Sequence, residues 1–286
     1  MTALKTALIQ MRGGRDAARN LDDAEAMIRE AAANGATLIA TPEVTNIVER
    51  DTKKLKPLLK PQNEDPAPSR FSELARSLQV DLLAGSFAFA GPEGKAVNRS
   101  MLFGPDGAVK AIYDKIHMFD VAIGAGEHYR ESDSYKPGER AVLAQAGGAV
   151  LGLSVCYDVR FAYLYRALAQ AGAQVLTVPS AFTRPTGRAH WEPLLRARAI
   201  ETGSVVIAPA QGGHHEDGRN TWGRSMVVSP WGEVIASLDH DEPGVLYAEL
   251  DLDAVASARK RIPALTHDRT VIAPEPLDGA STGGAA

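Results

Sequence analysis

Hydrophobic and polar positions alternate between two periods along this chain. Residues 3–11 form a largely apolar run of strand length. Leu21, Ala24, Ile28 and Ala31 then recur at spacings of three and four, the repeat of a helix with one buried face. Asn34-Gly35 supplies a helix stop, and residues 37–40 resume as a short buried strand that ends at Thr41-Pro42-Glu43. Residues 51–69, rich in proline and lysine, read as a surface excursion. A helix over 69–78 and a strand over 80–90 follow, then two strands flanking the hairpin signal Gly104-Pro105-Asp106-Gly107.

The second half repeats the alternation. The run Ala149-Val150-Leu151-Gly152-Leu153 predicts a buried strand, and Phe161, Leu164, Tyr165 and Leu168 a helical stripe. A strand is expected over 175–178, and a helix bearing Trp191, Leu194, Leu195 and Ala199. Strands are expected over 204–210, 225–229, 233–237 and 244–250, the middle pair turned by Pro230-Trp231-Gly232. Alternating helices and strands predict an α/β protein, and the hairpins predict mixed sheets. No stretch reads as an interdomain linker, so one domain over residues 1–272 is expected, with 273–286 a polar, disordered tail.

Composition narrows the class. Of 286 residues 45% are hydrophobic, enough for a sizeable core. A formal charge of −4 gives no electrostatic reason to expect nucleic acid or an anionic membrane as partner. No run reaches the ~18 apolar residues of a membrane span, and MTALKTALIQM lacks the features of a signal peptide. One cysteine excludes an internal disulfide framework. A soluble cytoplasmic protein is the expectation.

That cysteine sets the chemical question. Cys156 lies in SVCYDVRF (154–161), where a buried strand meets charge. Packing is the plain reading, because free Cys is among the most buried residue types. The other reading is a nucleophile, which works as thiolate and needs a base or a lowered pKa. Glu43 and Lys115 also end predicted strands, and open α/β sheets bind ligands beyond strand ends. Glu43 can take the thiol proton, provided a desolvated pocket lifts its pKa towards neutrality. Lys115 can stabilise the oxyanion formed when the thiolate attacks an acyl carbon. A helix starting just after Cys156 would aim N–H groups at the same place. No histidine is an obvious partner: His190 precedes a helix, and His214-His215 lie in a Gly-rich loop where a metal site is the weaker reading. Gly91-Pro92-Glu93-Gly94-Lys95 lacks phosphate-loop spacing and reads as a turn. The arginines of LLRARAIE (194–201) read as surface and Trp191 as core.

TPE at 41–43, DKIHMFD at 114–120 and SVCYDVRF at 154–161 together resemble the nitrilase superfamily of carbon–nitrogen hydrolases. The likeness covers nearly the whole chain, from ALIQM to residue 263. YRESDSYKPG (129–138), the stretch from Cys156 to Thr183, TGRAHWEPLLRARAIET (186–202) and SMVVSPWGEVIA (225–236) are similar to the Nit branch. That branch includes ω-amidases and amidases of deaminated glutathione; SAFT (180–183) and ESDS (131–134) look more like the latter. TPEV in place of an LPE-type motif, and Met118 where Leu is usual, depart from the pattern without touching a reactive residue.

The resemblance implies a four-layer α-β-β-α sandwich with mixed sheets. It implies Cys156 as nucleophile, Glu43 as base, Lys115 as oxyanion partner and Glu131 as an accessory carboxylate, with Glu127 its rival. Arg160, Phe182 and Thr186 match positions on the acid-binding side of the pocket. No metal and no cofactor are implied. The implied reaction is hydrolysis of a small linear amide through a thioester, deaminated glutathione giving 2-oxoglutarate and cysteinylglycine. The alternatives are an ω-amidase, an N-carbamoyl hydrolase, or a catalytically silent binding protein of the same fold. Family members pair through the helix after the cysteine, which implies a homodimer or dimer-based oligomer and gives the 161–168 stripe a use.

Overall fold

The structure, a computed structural model, describes residues 3–123 and 128–275. Glu127 and residues 276–286 of the expected tail lie outside the described residues.

β1 (Ala3–Gln10) sends Leu4 and Leu8 to one side and Ala7 and Ile9 to the other. α1 (Ala17–Ala33) is capped by Asp16, whose carboxylate accepts from the N–H groups of Ala18 and Arg19, and it buries the expected Leu21, Ala24, Ile28 and Ala31. β2 (Leu38–Ala40) is fully buried. The 51–69 excursion is better ordered than its composition suggests. Within it, α2 (Thr52–Leu55) is capped by Asp51 and buries Leu55. α3 (Pro66–Leu78) begins at Pro66 rather than residue 69. Asp65 caps it, and a proline at the first helical position loses no hydrogen bond there. β3 (Asp81–Ala90), β4 (Ala96–Phe103) and β5 (Val109–Asp114) complete this half.

A short hairpin, β6 (Asp120–Ala122) with β7 (His128–Arg130), precedes β8 (Val142–Ala146) and β9 (Ala149–Leu153). α4 (Ala162–Gln170), β10 (Val175–Thr177), α5 (Arg184–Thr202) and β11 (Val205–Ala208) follow. A second hairpin, β12 (Gly212–His214) with β13 (Asn220–Trp222), leads to β14 (Met226–Val228), β15 (Val234–Ser237), β16 (Gly244–Asp251) and α6 (Leu252–Arg261).

The strands form two six-stranded mixed sheets, ordered β16-β1-β2-β3-β4-β5 and β15-β14-β11-β10-β9-β8. β1, β2 and β3 run parallel, as do β9, β10 and β11, and the outer pairs are antiparallel. Leu4, Leu8, Leu83 and Leu102 of the first sheet share one core with Ala144, Leu151 and Val175 of the second. The far face of the first sheet packs Ile9, Ile39 and Leu82 on Ile28, Phe71 and Leu74 of α1 and α3. α4 and α5 add Leu164, Leu168, Leu195 and Ala199 on the second sheet. This is the expected α-β-β-α sandwich.

Three local expectations are corrected. Leu164, Tyr165 and Leu168 are buried against the protein's own core, so the stripe is not a partner-facing surface; Tyr163 stands on the exposed side of α4. Arg198 is buried rather than on the surface. Its Nε–H donates to the Val159 carbonyl at 2.7 Å, and its guanidinium lies over Tyr165. The Gly-rich segment around His214-His215 is the β12–β13 hairpin, and His215 is buried between Gly13 O (2.8 Å) and Thr221 Oγ1 (2.7 Å). Burial pushes its pKa down to about 4. Among the described residues no three acidic, histidine or cysteine side chains are grouped to hold a metal.

Candidate active site

Two parallel strands from different sheets end at one point. A Cβ on Gly85 would lie 2.0 Å from the Thr41 carbonyl oxygen and 2.5 Å from Pro179 Cβ. Only glycine lets the backbone beyond β2 come this close to the backbone beyond β10. Cys156 is fixed to the same point, because its N–H donates to the Pro179 carbonyl at 2.9 Å. Glu43, two residues past Thr41, therefore meets Cys156 across the sheet interface. Lys115 arrives from the end of β5, its N–H donating to the Asn98 carbonyl at 2.9 Å.

Backbone strain marks both junctions. Cys156 has φ +50° and Val44, immediately after Glu43, has φ +49°. Non-glycine residues in this region cost about 1–3 kcal/mol each, and a β-branched valine is a marked outlier. The surroundings hold them: Ser86 Oγ accepts from the Val44 N–H at 2.8 Å, and Gln211 Nε2 donates to the Glu43 carbonyl at 3.0 Å. A single 3₁₀ turn (Cys156–Arg160) intervenes between the cysteine and α4, where a helix was expected at once. As a first-turn donor, the Tyr157 N–H has no carbonyl within that turn to reach.

The side chains form one ionic cluster. Lys115 Nζ donates to Glu43 Oε1 at 2.9 Å and to Glu131 Oε1 and Oε2 at 2.9 and 2.8 Å. Asn98 Nδ2 donates to Glu43 Oε1 at 2.9 Å, and the Ala181 N–H to Glu43 Oε2 at 2.9 Å. The Cys156 thiol lies beside the same carboxylate. Phe119 N–H holds Glu131 Oε2 at 2.6 Å.

Two buried carboxylates thus share one ammonium, and their titrations separate. Burial raises the Glu43 pKa, but the Lys115 charge and hydrogen bonds from Cys156, Lys115 and Asn98 outweigh it, leaving Glu43 below the usual carboxylate range. This reverses the expectation that desolvation lifts Glu43. Burial raises Glu131, and the Glu43 charge adds to it, so Glu131 stays high despite Lys115. Burial would lower Lys115, but the charges of Glu131 and Glu43 hold it well above its ordinary value. Burial and the Glu43 charge push Cys156 well up, so the resting group is a thiol beside an ionised carboxylate.

The cluster opens into a cavity of about 630 Å³, within the range of small-molecule sites. Phe119, Tyr129 and Tyr157 form an aromatic wall, and Val44, Ile47 and Leu55 an aliphatic one. Of the residues singled out in the sequence, Glu43, Lys115, Cys156, Glu131, Phe182 and Thr186 all line it. Arg160 stands behind that lining. Its Cζ is 5.7 Å from the Phe182 ring and 5.8 Å from the Tyr157 ring, with Nη2 3.2 Å from His190 Nδ1. Arg160 forms no ion pair with Asp158, which is spent on Tyr113, His117 and the Val155 N–H. Sequence reasoning missed Asn98, Gln211 and Arg219, and carried no signal for them beyond their being polar.

The family model described as carbon–nitrogen hydrolase matches residues 5–260. The chain belongs to this family and is an enzyme that hydrolyses carbon–nitrogen bonds. A deaminated glutathione amidase of Synechocystis is 41% identical over 266 residues, spanning 91% of this chain and 96% of that protein. The C. elegans NitFhit protein superposes with a TM-score of 0.87 at 34% identity, over 94% of this chain and 66% of that one. Saccharomyces cerevisiae Nit3, described as a member of branch 10 of the nitrilase superfamily, superposes with a TM-score of 0.82 at 28% identity, over 92% of this chain and 95% of that one.

Proposed function

We propose that the enzyme cleaves a linear amide through a thioester on Cys156, with Glu43 as base and Lys115 as oxyanion partner. The observation that carries this is one carboxylate, Glu43, bonded to the ammonium and set beside the thiol in one cavity. Glu43 takes the thiol proton as sulfur attacks the acyl carbon, so no free thiolate has to persist at rest. The carbonyl oxygen gains negative charge beside Lys115 and the Tyr157 N–H. The proton on Glu43 passes to the departing amine and leaves an acyl-thioester. Water, deprotonated by Glu43, then attacks that carbon; the acid departs, and the proton returns to sulfur. Glu131 holds Lys115 in place and keeps its charge.

The substrate is deaminated glutathione, cleaved to 2-oxoglutarate and cysteinylglycine. Support comes from the Synechocystis relative, a deaminated glutathione amidase, and from the SAFT and ESDS stretches. Phe182 and Thr186 receive the 2-oxo acid end, and Arg160, just behind Phe182, supplies its counter-charge. Residues 1–272 act as one domain, and the protein works as a cytoplasmic homodimer or dimer-based oligomer. Among the described residues no helix is long and apolar enough to cross a membrane. The test supplies deaminated glutathione, 2-oxoglutaramate and an N-carbamoyl amino acid to purified enzyme, with mass spectrometry of the acyl-protein. Preference for deaminated glutathione and a Cys156 acyl adduct are expected. Preference for 2-oxoglutaramate or the carbamoyl compound redirects the substrate, and no adduct with any amide leaves the silent binding protein.

A further inference from the structure

We propose that Arg219 is a second anion anchor of this cavity, binding the terminal carboxylate of the amine half of the substrate. The inference rests on the amidase reading above and deepens it: the leaving amine is an amino acid or short peptide with a free carboxylate, rather than ammonia.

Arg219 stands where β13 begins and lines the same cavity as Cys156. Its position is fixed by Asp217, whose Oδ1 accepts the Arg219 N–H at 2.8 Å and whose Oδ2 lies 3.2 Å from Nη2. Asp217 Oδ2 also accepts the Arg50 N–H at 2.9 Å, so the carboxylate is itself tied to the cavity wall. Asp217 thereby engages Nη2, the nitrogen that shares an edge of the guanidinium with Nε, and Nη1 makes no hydrogen bond among the described residues. The Arg219 Nε–H is buried and has no partner among the described residues. A buried charged donor left unpaired is unfavourable, and such groups in folded proteins call for a partner. A carboxylate is suited to that fork of N–H groups, since it accepts from two at once.

The location matches the need. The acyl half of the substrate is directed to Phe182 and Thr186, so the amine half extends to a different wall. Arg219 belongs to the wall shared with Arg50 and Tyr135, and its charge reaches the Tyr135 hydroxyl. Lys115 is already matched by Glu43 and Glu131, and Arg130 faces Asp133 at 3.6 Å. Arg50 also lines the cavity but is exposed, whereas Arg219 carries a buried donor that no described residue uses. The plainer role, a staple closing the β12–β13 turn through Asp217, leaves Nε and Nη1 without a hydrogen bond among the described residues.

The experiment compares deaminated glutathione with the same compound capped as its C-terminal glycinamide. The enzymes are the parent, Arg219→Met and Arg219→Lys. The parent is expected to lose about tenfold or more in kcat/KM on capping, the value of a charge-assisted hydrogen bond. In Arg219→Met the ratio of the two substrates should collapse towards one, through KM, and Arg219→Lys should keep part of it. Equal use of both substrates by the parent overturns the proposal without any variant needing to fold. So does an undiminished preference in Arg219→Met, which leaves the staple. If the parent cleaves neither compound yet turns over 2-oxoglutaramate, the substrate reading falls and takes this inference with it.

Discussion

His117 Nδ1 lies 2.6 Å from Asp158 Oδ1, and this contact ties the loop behind Lys115 to the turn behind Cys156. Asp158 also accepts the N–H groups of His117 at 3.0 Å and Val155 at 2.9 Å, and the Tyr113 hydroxyl at 2.6 Å. The general acid–base chemistry occurs elsewhere, but the spacing of its parts is set here. Asp158→Ala strands several buried donors, each costing about 1–3 kcal/mol. A loss on the order of 3 kcal/mol in chemical denaturation is expected, with Asp158→Asn milder.

Glu43→Gln preserves shape and removes the proposed base. A fall in kcat of about 10²–10⁴-fold is expected, with the far-ultraviolet circular dichroism of the parent. Cys156→Ser should abolish turnover more completely, because a hydroxyl is a far weaker nucleophile beside the same carboxylate.

The two carboxylates predict opposite pH trends. Glu43, held below its ordinary value, contributes stability that is complete above the unfolded carboxylate pKa of about 4.3 and is lost as pH falls through the lower folded value. As the proposed base it is still ionised in mild acid, so the acid limb of kcat/KM should lie below pH 4.5. Glu131 is raised, so its contribution is complete below the unfolded value and is lost as pH rises through the folded one. The melting temperature of Glu131→Gln, followed across pH, should gain on the parent as pH rises. A gap that is flat or widens the other way would refute the assignment.

Gly85→Ala tests the meeting point of the sheets. The added methyl would press on the Thr41 carbonyl and on Pro179, and so on the segment that carries Glu43 or the one whose carbonyl holds the Cys156 N–H. Overpacking of this kind costs about 1–3 kcal/mol. A loss of kcat larger than the loss of stability explains is expected from paired denaturation and rate measurements.

What the sequence made legible follows from what repeats. Period-two and helical patterns place β1, α1 and α4 within a few residues, because apolar burial drives both pattern and element. Glu43, Lys115 and Cys156 were legible as strand-end residues and as motifs. Arg198 and Asp158 were not, since a buried charge looks like a surface one until its partners are known. The direction of the Glu43 shift was missed for a related reason. Desolvation can be guessed from a strand end, but the opposing ammonium, amide and thiol come from β5, β4 and β9. The β12–β13 hairpin hid behind glycines that read as slack. Gly213 has φ +86°, and a Cβ there would meet the Arg12 guanidinium, so these residues serve close approach.

The raised pKa of Cys156 carries a consequence for how the protein meets oxidants and electrophiles. A protonated thiol in a cavity wall reacts slowly with peroxide or iodoacetamide, since both need the thiolate. Slow labelling is therefore what this enzyme should show, and does not count for a binding-only protein. Its sulfur becomes dangerous only to a compound that brings a carbonyl to Lys115 and Glu43 together. Selectivity among bystanders is built in before any pocket contact is made.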